Sequence, residues 1–175
     1  ASAAEPKYVL KANTPQFSSD GWTWDGQTLH FFGSGTYEFK SVYFSIESTK
    51  NRGAAVIDIS GALTVNFTEL LSKFISSSCP LDIKGAGKIT ASSVDVENRW
   101  FCKLFESDEA ITYAGGAICT DDEIVLFSAS NGFTMTQGHI DAPNAYISTD
   151  NSCTIKNSYV SMNQFDSNSN SINVN

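Results

Sequence analysis

The sequence predicts an all-β chain wound as a right-handed parallel β-solenoid of about six irregular coils, with one short capping or packing helix. Three observations predict it. An apolar-x-apolar step followed within a few residues by Gly or Asn recurs as LHFFGSGTY from Leu29, IDISGAL from Ile57, LDIKGAGKI from Leu81, ITYAGGAI from Ile111, FTMTQGHI from Phe133 and CTIKNSYV from Cys153, with an echo, INV, at Ile172. Successive starts lie 19 to 30 residues apart, the spacing of stacked units that cannot bury an apolar face alone. Glycines interrupt strand-like alternation, which suits corners where the chain must turn and a residue tolerating positive φ is cheapest. An antiparallel β-sandwich, also built from short strands and Gly, Ser and Asn turns, is the alternative.

Residues 1–28 read as an N-terminal segment and lead-in strand, with KYVLKA extended and GWTWDG an aromatic turn. Residues 29–175 read as the solenoid. Within it Phe67, Leu70, Leu71, Phe74 and Ile75 fall at i, i+3, i+4, i+7 and i+8, with Asn66 as N-cap and Glu69 placed to reach back, so a helix is expected near residues 67–77. Side chains alternate along a strand, so Ile57, Ile59, Leu81, Ile83, Ile111, Tyr113, Phe133, Met135 and Ile155 should point inward.

The 175 residues suit one domain with a real core, and 41% hydrophobic content is that of a folded chain. A net charge of −8 without any Lys/Arg run argues against nucleic acid and anionic membrane as partners, and no apolar run is long enough for a membrane helix. The opening ASAAEP has the small-residue character found around a signal-peptidase site, which points to a secreted or surface location. Cys79, Cys102, Cys119 and Cys153 are compatible with two disulfides or with buried free thiols, and no C-x-x-C pair suggests zinc.

Chemistry-bearing residues are sparse. His30 and His139 lack ligand spacing, and no nucleophile elbow or P-loop is present. The outward middle positions of the repeats read His30, Asp58, Asp82, Thr112, Thr134 and Thr154, two stacked carboxylates followed by three stacked threonines. Asp58 and Asp82 suit a sugar-cleaving pair, a Ca²⁺ site or a charged edge that discourages aggregation. Thr112, Thr134 and Thr154 suit a glycan- or ice-facing row, or ordinary exposed strand positions. Trp22 and Trp24, two residues apart, present indoles on one side of an extended segment, fit for stacking on a sugar or on the protein's own first coil. No cofactor is expected; calcium at the acidic corners Asp108–Glu109 and Asp121–Glu123 is the one candidate ion. The polar C-terminal units carry no charged or proline-rich cap, so their strand edge is expected either to be covered by the next coil of a longer chain or to self-associate with another copy through Ile172 and Val174.

Phe105-Glu-Ser-Asp108 and Gly115-Gly116-Ala117-Ile118, with a second F-x-x-N at Phe165 to Asn168, resemble the F-x-x-N and G-G-A-[ILV] motifs of chlamydial polymorphic outer-membrane proteins. Asp108 stands where that family has Asn. The resemblance implies a β-helical autotransporter passenger, an adhesin recognising a host surface protein or glycan. A viral tail-fibre or spike component and a polysaccharide lyase or hydrolase are the other functions the repeat suggests.

Overall fold

A computed structural model of the chain describes residues 8–32, 36–40, 42–69, 72–93 and 102–174. Its strands are β1 (Tyr8–Leu10), β2 (Gln16–Phe17), β3 (Trp22–Trp24), β4 (Thr28–Phe31), β5 (Thr36–Lys40), β6 (Phe44–Ile46), β7 (Ala55–Ile59) and β8 (Ala62–Phe67). They continue as β9 (Lys73–Ser77), β10 (Leu81–Ser93), β11 (Lys103–Ser107), β12 (Ile111–Cys119), β13 (Val125–Ala129), β14 (Phe133–Ile155) and β15 (Ser158–Val174). Pairing is parallel from β4 onward and throughout the stack. This is a parallel β-solenoid of about four turns and excludes the antiparallel sandwich.

Each turn has three sides. The first runs β4, β7, β10, β12 and β14. The second runs β5, β8 and the later parts of β10, β12 and β14, then β15. The third runs β1, β6, β9, β11, β13 and the Tyr146–Thr149 part of β14. Six motif copies do not make six turns. β4, the strand of the Leu29 copy, pairs parallel with β7 on one edge and antiparallel with β3 on the other, and the Cys153 copy leads into β15.

Alternation places the expected inward residues in the core, with Ile57, Ile83, Phe133 and Met135 wholly buried and Leu81, Ile111, Tyr113, Ile59 and Ile155 nearly so. Aromatic rings form a spine along the axis. Phe44 and Phe74 have centroids 5.7 Å apart, Phe105 and Phe127 stack at 5.7 Å, and Phe127 meets Phe133 at 4.6 Å, each contact worth roughly 0.5–1.5 kcal/mol beyond its buried area.

The helix expected near residues 67–77 does not form, and no helix occurs among the described residues. Phe67 closes β8, while Phe74 and Ile75 lie buried in β9. The two strands bury Phe67, Phe74 and Ile75, and pairing with the turns on either side prevails over local periodicity. Leu70 and Leu71 lie outside the described residues.

The glycines answer to two needs. Gly85 has φ of 103°, a left-handed conformation suited to the corner between the first two sides. Gly116 lacks that φ, but a Cβ there would run into the Gly87 carbonyl below, so the corner packs backbone on backbone.

Candidate functional site

Burial and register define the outward surface of the first side. Val56 stands opposite Asp82, Asp82 opposite Thr112, and Thr112 opposite Thr134. The Lys156 N–H donates to the Met135 carbonyl at 2.8 Å, which lays the end of β14 along its own beginning and sets Thr154 beside Thr134. Thr112 is exposed; Asp82, Thr134 and Thr154 are half-buried. The structure thus joins four of the expected residues in one row, Asp82–Thr112–Thr134–Thr154.

Asp58 is not in that row. It pairs with His30 on one side and Lys84 on the other, so the two carboxylates do not stack. The cause is a two-residue offset: Ala55, not Ile57, is the inward partner of Leu81, and alanine does not register as the start of an apolar-x-apolar step. Asp58 Oδ2 instead lies 3.9 Å from His30 Nε2, which also meets Ser60 Oγ at 3.2 Å. Both partners use the same ring nitrogen, whereas a catalytic triad needs the acid and the nucleophile on opposite nitrogens.

Trp22 and Trp24 are core residues, 2% and 0% exposed, so neither indole is free to stack on a sugar. Trp22 packs edge-on against Tyr8 and Phe44, and Trp24 Nε1 donates to the Lys11 carbonyl at 2.8 Å. They plug the N-terminal end of the stack. Ile172 and Val174 pair through their backbones with Cys153 and Ile155; their side chains lie outside the described residues. All four cysteines are free thiols, correcting the disulfide expectation: Cys79 and Cys119 are half-buried near corners, while Cys102 and Cys153 pack into the core. Among the described residues no three His, Cys, Asp or Glu side chains group as metal ligands.

Two features escape a repeat-based reading. On the third side Glu106 accepts hydrogen bonds from Lys103 Nζ, Lys73 Nζ and Ser76 Oγ, each at 2.8 Å. Burial pushes its carboxyl up, but the two lysines and the serine outweigh that and hold it at about 2. Burial likewise pulls Lys73 down, and Glu106 more than restores it, raising it overall. Ser76 and Glu106 are 30 residues apart, one coil, so aligning the third-side strands was the signal that would have found them. The second feature is an open cleft of about 470 Å³ where the third side turns into the first, lined by Glu47, Thr49, Arg52, Cys79, Pro80 and Glu109 among others. It is assembled by loops of three turns, which no single repeat displays.

No family model, curated protein or solved structure matches the chain.

Proposed function

We propose that the chain is a secreted or cell-surface, non-catalytic binding and structural module, adhesin-like, which recognises a surface protein or glycan. The observation that supports this reading is the row Asp82–Thr112–Thr134–Thr154, a carboxylate and three hydroxyls carried on successive turns at about 4.8 Å intervals. A stack of coils is rigid and presents such groups as a long, flat array, the surface solenoids use for extended partners. The acidic balance favours partners other than nucleic acid or anionic lipid. The F-x-x-N and G-G-A-I likeness points the same way, toward an autotransporter passenger, and the coil is read as right-handed, the hand parallel crossovers favour.

The test compares the full chain with a Thr112→Lys, Thr134→Lys double variant on a glycan array and on cultured epithelial cells. Binding by the parent that the double variant loses, with an unchanged far-UV circular dichroism spectrum, is the expected result. No binding by the parent to either, or no cell or array glycan whose binding the double variant loses, would sink the proposal.

A further inference from the structure

The corner cleft differs from the outward row in its chemistry. Its small hydroxyls already have partners: Thr49 Oγ1 donates to the Gly53 carbonyl at 3.0 Å, Ser78 Oγ to the Glu47 carbonyl at 2.8 Å, and Ser48 Oγ accepts from the Ala12 N–H at 3.0 Å. Glu47 has Lys11 3.6 Å away. Among the described residues no ion pair engages Arg52 or Glu109. The charged groups left to meet a ligand are therefore one guanidinium and one carboxylate, beside the Cys79 thiol and the ring of Pro80.

Arg52 is also held at φ of 54°, a conformation that suits glycine and that other residues adopt seldom. An arginine at a position whose backbone favours glycine is a reason to look to its side chain for a role. The volume of about 470 Å³ falls in the range of small-molecule sites.

We infer that this cleft binds a short neutral saccharide. Charge decides against an ionic ligand: Lys11 answers Glu47 and Glu109 opposes Arg52, so neither a cation nor an anion gains on balance. A neutral polyol uses both free groups, its hydroxyl oxygens accepting from the guanidinium fork and its hydroxyl protons donating to the carboxylate. Pro80 supplies an apolar surface for the C–H face of a sugar ring. The inference rests on the surface-recognition reading and names a second contact point within it.

Calorimetric titration of the full chain with neutral hexoses, N-acetylhexosamines and their disaccharides tests it, with glucuronic acid and glucosamine as charged controls. At least one neutral sugar should bind, and Arg52→Gly and Glu109→Gln should each weaken it about tenfold, the loss of one charge-assisted hydrogen bond. Arg52→Gly should melt no lower than the parent, because glycine relieves the backbone, which separates binding from structure. The Thr112→Lys, Thr134→Lys chain should keep cleft binding. Absence of binding by every neutral sugar, indifference to both cleft variants, or tighter binding of a charged control would overturn the inference. If cell or array binding persists while the cleft takes no sugar, the cleft proposal falls and the surface reading stands.

Discussion

Replacing Glu106 with Gln removes the anion that holds two half-buried lysines on adjacent turns. A carboxyl held at about 2 instead of 4.5 corresponds to about 3 kcal/mol of folded-state preference for the charged form. The side chain is 16% exposed, and screening at that rim reduces the contribution to about 2 kcal/mol. Because the folded carboxyl titrates below its unfolded value, this stability is fully present above about pH 4.5 and is lost as pH falls toward 2. At pH 7 the Glu106→Gln chain should melt about 4–8 °C below the parent. The two melting curves should converge as pH is lowered from 5 to 2, the parent losing more than the variant. Thermal unfolding followed by circular dichroism at half-unit pH steps reads both. Parallel pH profiles, with a constant gap between the chains, would refute the account of Glu106 as an ionised bridge.

Gly116→Ala should destabilise by roughly 1–3 kcal/mol, since its Cβ meets the backbone carbonyl of Gly87 and the corner has no side chain to yield; urea denaturation measures it. Under native conditions a thiol-specific alkylating agent followed by mass spectrometry should label Cys79 and Cys119 while Cys102 and Cys153 stay protected until denaturant is added, as their burial requires. Ile172→Lys should weaken any concentration-dependent association seen by sedimentation velocity, because a lysine within a strand discourages its pairing with another chain; parent and variant sedimenting alike as monomers would count against it.

How far the sequence carried the fold depends on which positions bear large apolar side chains. Ile83, Tyr113 and Met135 announce their inward direction because bulky residues alternate with polar ones, and their glycines mark the first corner. Ala55 is equally inward but small, so the register at β7 slips by two residues when read from Ile57, and with it the imagined stack of Asp58 on Asp82. The helix near residues 67–77 fails for a related reason: Phe67, Phe74 and Ile75 fit both periods over so short a span, and only contacts with neighbouring turns choose between them. Thr112 beside Thr134 was legible because both follow a large inward residue. The Glu106 cluster and the cleft were not, since each joins residues from different coils on sides where the motif does not repeat.

Cysteine cross-linking of the first side measures the register most directly. In a background with the four native cysteines replaced by Ser or Ala, Thr112→Cys with Thr134→Cys places two thiols directly opposite each other on parallel neighbours, within the Cα separation a disulfide spans. Asp58→Cys with Asp82→Cys places them on diagonal positions, roughly 7–8 Å apart and out of reach. Mild oxidation should close the 112–134 pair quantitatively, seen as a thiol-dependent gel shift and a linked tryptic peptide, and leave the 58–82 pair reduced. Closure of 58–82 with 112–134 left open would contradict the stacked row on which the proposed binding surface depends.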